Sequence, residues 1–291
     1  MIELNKIYNE DCLEGMKRIP DGSVDLIITS PPYFLKKDYE KDWTWDKFDT
    51  LMKNVFLQVE RILKPSGYFV INFGDNGFGR DNLKTECMST YPMSHYYWNI
   101  KGNLELQATR IWRKQFAKIP FNGQAKNAPR NLFDYEHIWS FRKKDGIGKE
   151  KVRDIKLSCR GVLGEDWTSK AGLNIHCASF PIELPTWGIT VYSDENDIVL
   201  DPFIGSGTTA IACINTGRNY IGFEMDEHYC DIANERIQKA LADSDEKARE
   251  GLVSVDRDEE ETPAKNTKSI FKKIGSKPKE NSMKKLLRKT K

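Results

Sequence analysis

No apolar run in this 291-residue chain approaches the ~20 residues that a bilayer-crossing helix needs, and its opening, Met1 to Lys6, is too polar for a secretory leader. Membrane insertion and export are therefore not expected, and the composition reads as that of a soluble, cytoplasmic protein. The six cysteines (Cys12, Cys87, Cys159, Cys177, Cys213, Cys230) form no C-x-x-C pair and lie far apart. That spacing speaks against a zinc site and for buried, reduced thiols. Net charge is scarce as well: 45 basic against 43 acidic residues leave +2. A protein so nearly neutral has no global field to draw it to nucleic acid, so any such attraction must be local.

Charge is unevenly placed. Residues 243–291 hold 14 basic and 10 acidic side chains, leaving 31 and 33 in the first 242. Within that larger part, residues 101–160 hold 15 basic and 6 acidic side chains, and this middle segment is the expected source of a phosphate-binding face. With 39% hydrophobic and 11% aromatic residues, the 291-residue chain can fill one large core or two modest ones. The tail cannot: acidic residues crowd from Asp243 to Glu261 and basic ones from Lys265 to Lys291, with few large apolar side chains. Such a segment does not offset its ordering entropy, and disorder is expected beyond about Ala242, with at most a transient helix near Met283 to Arg288.

Hydrophobic periodicity predicts two α/β blocks. In the first, Lys6 to Tyr8 and the nearly continuous apolar run Val24 to Thr29 read as strands, the second as one covered on both faces of a parallel sheet. Phe48, Leu51, Val55, Val59 and Ile62 recur at helical spacing until Pro65-Ser66-Gly67, and Tyr68 to Phe73 returns as a strand. In the second, Asp197 to Leu200 is a strand, Thr208 to Thr216 a helix, Asn219 to Phe223 a strand and His228 to Ala242 a helix. Between the blocks, Arg110 to Trp112 and His137 to Phe141 look like further strands, while residues 142–175 lack clear periodicity. Strand, helix, strand at these lengths is a parallel crossover, so the expected fold is α/β, a doubly wound, mostly parallel sheet.

Both strands that end in unusual sequence end at the edge where open parallel sheets bind ligands. Asp201-Pro202-Phe203-Ile204-Gly205-Ser206-Gly207-Thr208-Thr209 follows one of them. Gly205 and Gly207 permit a tight turn whose N–H groups face the next helix, a site for a carboxylate or phosphate. Glu224 ends the following strand, 23 residues after Asp201, near the ~20-residue spacing at which an acid meets ribose hydroxyls. Thr208-Thr209 stand where a P-loop needs Lys-Ser/Thr, and the loop is not G-x-G-x-x-G, which disfavours a dinucleotide.

Thr29-Ser30-Pro31-Pro32-Tyr33 follows the other. Two consecutive prolines hold the backbone extended, orienting the carbonyls of Ser30 and Pro31 with no N–H to compete. A ring-conjugated amine is a poor nucleophile because its lone pair is delocalised, and acceptors that bind both its N–H groups free that lone pair. Tyr33 adds an aromatic face on which an extruded base can stack.

These two strings resemble the catalytic motif and cofactor loop of DNA amino-methyltransferases, in the group where the catalytic half precedes the cofactor half. Asp11-Cys12, Tyr135 to Trp139, Cys177 to Pro181 with Leu184, and Gly217 to Glu224 are similar to other segments of that family. The resemblance covers most of residues 4–240 except roughly 75–105 and 142–175. It implies the methyltransferase fold with circularly permuted motif order, S-adenosylmethionine as cofactor without a metal, and double-stranded DNA as partner, with room for a cognate restriction endonuclease. Ser30, Pro31, Pro32 and Tyr33 would handle the target base. Asp201, Phe203, Gly205, Ser206, Gly207 and Thr208 would surround the methionine part, Glu224 the ribose and Asp11 the adenine side, with Phe180 in the stretch before the loop.

The implied organisation is a methyltransferase domain over 1–242 and a charged tail over 243–291. Within the domain, a catalytic half (about 1–141) and a cofactor half (about 176–242) flank a candidate target-recognition insert (about 142–175), whose Lys143, Lys144 and Arg153 are candidate phosphate contacts. Many adenine-N6 members carry Asp where this chain has Ser30, whereas Ser is usual in cytosine-N4 members, so cytosine N4 is favoured over adenine N6. A glutamine-side-chain methyltransferase would want Asn before the prolines and no basic middle segment. An inactive DNA-binding relative would not need Ser30, Tyr33, Gly205 and Glu224 all intact.

Overall fold

The computed structural model describes residues 2–32, 43–74, 102–114, 135–144, 146, 161–164, 167 and 180–258, with side chains to Ser244 except that of Trp45. Eight strands form one sheet: β1 (Lys6–Asn9), β2 (Val24–Thr29), β3 (Leu63–Phe73), β4 (Leu104–Arg113), β5 (Tyr135–Lys143), β6 (Val162–Leu163), β7 (Ile198–Asp201) and β8 (Asn219–Glu224), in the order β1-β8-β7-β2-β3-β5-β4-β6. The first five in that order run parallel, β5 is antiparallel to β3 and β4, and β6 runs parallel to β4. The expected α/β class and mostly parallel sheet are what the chain adopts.

All six residues of β2 are buried, as its unbroken apolar run requires of a central strand. One face of the sheet packs on α1 (Cys12–Lys17) and α2 (Trp45–Ile62) through Met16, Phe48, Val59, Ile71 and Phe73. The other packs on α3 (Glu183–Tyr192), α4 (Thr208–Thr216) and α5 (Glu227–Asp258) through Ile28, Val70, Trp187, Ala210 and Ile237.

Four differences from the sequence reading have physical causes. Pro65-Ser66-Gly67 ends the helix but not the extended chain: Leu63 already pairs with Val24, and the register jump to Leu26–Tyr68 absorbs the extra residues as a bulge. Parts of the expected insert belong to the sheet, since Arg142 and Lys143 complete β5, Val162–Leu163 pair with β4, and Trp167 packs on Trp112 with ring centroids 6.1 Å apart. The rest of that segment, Arg153 included, lies outside the described residues. The last helix runs to Asp258, sixteen residues past Ala242, through the helix formers Glu246, Lys247, Ala248, Arg249 and Glu250. Residues 1–244 form one compact unit and 245–291 another, of which the backbone to Asp258 is described as helix.

The fourth difference concerns charge. Because β5 runs antiparallel, Lys143 pairs with Leu104 at the start of β4, and Lys144 donates its backbone N–H to Asn103. Both lysines therefore sit at the sheet edge opposite the carboxyl ends of β2 and β7, about 20 Å along the strand from His137 at ~3.4 Å per residue. They thus lie far from Ser30 along the sheet, a placement the sequence pattern did not indicate.

Candidate active site

From β7 the chain crosses through α4 to β8 on one side, and from β2 it crosses through α2 to β3 on the other. The strand order thus reverses between β7 and β2, which opens a crevice at their carboxyl ends. Across it, the Thr29 hydroxyl donates to Asp201 Oδ1 at 2.6 Å. Asp201 also accepts from the Phe203 N–H at 3.1 Å and, through Oδ2, from the Thr209 hydroxyl at 2.6 Å. With 1% of its surface exposed, it lies beneath the crevice floor. Burial pushes its carboxyl up to about 6, against the pull of the three donors.

The loop above it depends on two left-handed glycines, Gly205 at φ 53° and Gly207 at φ 82°. At Gly207 a side chain would also meet α5, because a Cβ there would lie 2.9 Å from that of Ala233. Gly207 caps α4 without any side-chain hydrogen bond, leaving the N–H groups of the helix's first turn for a ligand. From behind, Arg236 Nη1 donates to the Ser206 carbonyl, to Ser206 Oγ at 2.9 Å and to Thr208 Oγ1 at 3.4 Å.

Glu224 closes the loop from the β8 side. Its Oε2 accepts the Gly205 N–H at 3.1 Å and its Oε1 the Asp226 N–H at 2.8 Å. Burial raises its pKa, while those two backbone bonds draw it down. Asp11 plays a comparable double part: its Oδ1 caps α1, accepting from Leu13 and Glu14, and the residue also lines the crevice.

These elements enclose a cavity of about 360 Å³, a size suited to a small-molecule cofactor. Ser30, Pro31, Pro32, Asp11, Phe180, Phe203, Gly205, Ser206, Thr208 and Glu224 line it together, although they come from sites up to 213 residues apart. Asp201 and Gly207 do not line it; they hold the loop that does. Tyr33 lies outside the described residues. Trp43, just before α2, and Lys47 and Leu51 in its first turns also line the cavity, with the Lys47 ammonium 5.7 Å from the Trp43 ring centroid. Sequence reasoning took α2 as a core helix and missed this second use. It missed Arg236 too, although a charged residue beside Ala233 and Ile237, at core-facing spacing on α5, was a usable signal.

Among the described residues no group of His, Cys, Asp and Glu could hold a metal ion, and no helix is long and apolar enough to cross a membrane. Cys12, Cys213 and Cys230 are free and buried. Burial pushes the Cys12 thiol, in the cavity wall, up to about 12.

A family model for DNA methylases, of the N6/N4 methyltransferase type, matches residues 24–235. The orphan methyltransferase M.BamHII of Bacillus amyloliquefaciens is 30% identical over 264 residues, covering 77% of this chain and 92% of that protein. The Type II methyltransferase M.HinfI of Haemophilus influenzae is 26% identical over 264 residues, covering 81% of this chain and 69% of that one. Among solved structures, the M1.HpyAVI–SAM complex superposes with a TM-score of 0.55 at 25% identity, over 79% of this chain and 98% of that one.

Proposed function

Since the chain belongs to the N6/N4 DNA methylase family, we propose that it transfers the methyl group of S-adenosylmethionine to an exocyclic amine in double-stranded DNA, cytosine N4 rather than adenine N6. The observation that carries this reading is the single cavity shared by Ser30-Pro31-Pro32 and the Gly205–Thr208 loop, which brings an amine-accepting backbone to a cofactor-sized space. Type II relatives extend it to a modification enzyme whose site is shared with a cognate endonuclease.

The residues present suit that cofactor. Its carboxylate fits the uncapped N-terminus of α4. Its ribose hydroxyls fit Glu224, whose two oxygens each keep acceptor capacity beyond the one backbone bond they receive. Asp11 faces the adenine side, and Phe180 and Phe203 supply apolar wall. Glu10, Asp11, Glu224 and Asp226 together make one side of the cavity acidic, which favours a ligand bearing a sulfonium and an ammonium. When bound, the cofactor supplies the methyl group as an electrophile. Asp201 does not touch it but fixes the loop to β2, so that the methyl donor and the amine acceptors keep one distance.

On the other side, the Ser30 and Pro31 carbonyls accept the amine's N–H groups and localise its lone pair towards the methyl. On transfer the amine would gain the methyl carbon and lose its surplus proton to water, while the Ser30 and Pro31 carbonyls, too weakly basic to take that proton, would only orient the N–H groups. The Ser30 hydroxyl both donates and accepts, so it can serve the amine or the ring-nitrogen acceptor beside it, which cytosine and adenine both have; the choice of cytosine rests on Ser, in place of Asp, before the two prolines. Incubation with tritium-labelled cofactor, followed by separation of DNA and protein, tests the reading: label in DNA supports it, and label in protein alone would turn it to an amide-nitrogen methyltransferase.

A further inference from the structure

We propose that Lys47, in the first turn of α2, is the contact for a backbone phosphate of the extruded nucleotide, held at the cavity mouth while the base sits at Ser30-Pro31-Pro32. The proposal rests on the reading of that strand end as the base-handling site. Charge around the cavity is lopsided. Glu10, Asp11, Glu224 and Asp226 line it, and Lys47 is the one Lys or Arg among the described residues that do so. The four acids stand at the carboxyl ends of β1 and β8, on the far side of β7 from β2. Lys47 comes instead from the helix that joins β2 to β3, in the half that carries Ser30. One half of the cavity therefore repels a phosphate and the other attracts it.

The position is one that a helix disfavours for lysine. Lys47 is the third residue of α2, where the partial positive charge of the N-terminus opposes a cation, and its backbone N–H already donates to the capping Thr44 hydroxyl at 3.2 Å. A residue that works against its own helix marks a place where another demand sets its identity. Leu51, one turn further along the same face, also lines the cavity, so this face of α2 is the one turned to the ligand space.

The protein itself does not supply the anion. Lys47 is exposed, and its partner among the described residues is the Trp43 ring, 5.7 Å from the ammonium, and not a carboxylate. The positions that a helix would bring beside it, Trp43, Thr44, Thr50 and Leu51, carry no acid. Asp49 is two residues away and is bound to Lys53 at 2.7 Å. A ring attraction at an exposed site is weak, so it orients the ammonium over Trp43 without neutralising it. Of the two anions that could reach the cavity, the cofactor's carboxylate has the uncapped N-terminus of α4. The other is the phosphate of a nucleotide whose base has swung into the pocket, which stays with the strand at the mouth.

Initial rates of tritium transfer to unmodified duplex DNA, taken across about 50 to 200 mM salt, test the proposal. For Lys47→Ala we expect kcat/KM for DNA roughly tenfold lower at the low end and a salt slope smaller by about one, with Lys47→Arg close to wild type. Calorimetry should give both variants the wild-type affinity for S-adenosylmethionine, which shows that the fold is kept. Lys144→Glu, a larger change of charge at the opposite edge of the sheet, should keep wild-type kinetics. Wild-type kcat/KM and slope in Lys47→Ala, or an equal loss in Lys144→Glu, overturns the phosphate contact while leaving methyl transfer to DNA as it was. A loss confined to cofactor affinity overturns it too, by putting the ammonium on the cofactor's carboxylate. A wild-type protein that labels no DNA overturns the functional reading and this proposal with it.

Discussion

The Thr29 hydroxyl and the Asp201 carboxylate, 172 residues apart in sequence, meet at 2.6 Å and join the two halves of the active site at the point where the strand order reverses. One strand leads into Ser30-Pro31-Pro32, proposed above to accept the amine, and the other into the Gly205–Thr208 loop, proposed to hold the cofactor. Removing the hydroxyl while keeping the shape, in Thr29→Val, leaves a buried carboxylate short of one donor. The expected cost is about 1–3 kcal/mol, read as a lowered midpoint in denaturant, with a fall in turnover larger than the fall in cofactor affinity.

Asp201 also gives the protein a pH signature. Its folded value of about 6 lies above its ordinary 3.8, so the folded state holds the proton more tightly than the unfolded one. The stability linked to this group is present in full below pH 3.8 and is lost as pH rises through about 6. In Asp201→Asn that dependence disappears: between pH 4 and 6.5 the difference in unfolding free energy between variant and wild type should shift in the variant's favour, by on the order of 3 kcal/mol. Parallel stability curves across that window would show that the carboxylate is not strained by burial.

Glu224 has two duties that a pair of variants can separate. In Glu224→Ala, cofactor affinity measured by calorimetry should drop by roughly 1.5–3 kcal/mol, and the Gly205 and Asp226 N–H groups lose their acceptor. Glu224→Gln keeps the length and one acceptor oxygen, and should recover part of the melting temperature but less of the affinity. Unchanged affinity in Glu224→Ala would remove it from the ribose.

Much of this site was legible before any coordinates. β2 and α4 have the expected bounds, because an all-buried strand writes itself as an apolar run and an uncapped helix after Gly-x-Gly has a sharp start. Less legible was anything that depends on strand direction. Nothing in the residues Tyr135 to Lys143 says that this strand runs backwards, yet its direction moves Lys143 and Lys144 to the far edge and brings His137 to the near one. Short elements were also silent: α1 has six residues, too few for a helical period, and β6 has two. Asp201, expected beside the methionine part, shows how a motif residue can act from beneath, since burial is not written in a motif.

Arg236 braces the loop without facing the cavity. Arg236→Met keeps the apolar stem in the α5 interface but removes the donor to Ser206 and Thr208. Cofactor affinity should fall about five- to thirtyfold, the equivalent of roughly 1–2 kcal/mol, with turnover at saturating cofactor falling less. Equal losses in both would place Arg236 nearer the chemistry than its contacts suggest.

Truncation after Ser244 leaves the first compact unit whole. The melting temperature and the methylated sequence should be unchanged, while DNA binding at low salt weakens, because residues 264–291 carry eleven basic side chains and one acidic. A truncated protein that melts earlier would show that the last unit packs on the first.

The central claim is that an exocyclic base amine receives the methyl group in the pocket beside Ser30. Genomic DNA from cells expressing the wild-type protein, digested to nucleosides and resolved by mass spectrometry, tests it most directly, with Ser30→Ala expression as the comparison. The account predicts N4-methyldeoxycytidine from the wild type and at least a hundredfold less from the variant, a loss of roughly 3 kcal/mol in transition-state stabilisation. N6-methyldeoxyadenosine in its place would contradict the choice of base, and unmodified DNA from cells containing folded, cofactor-binding protein would contradict the claim itself.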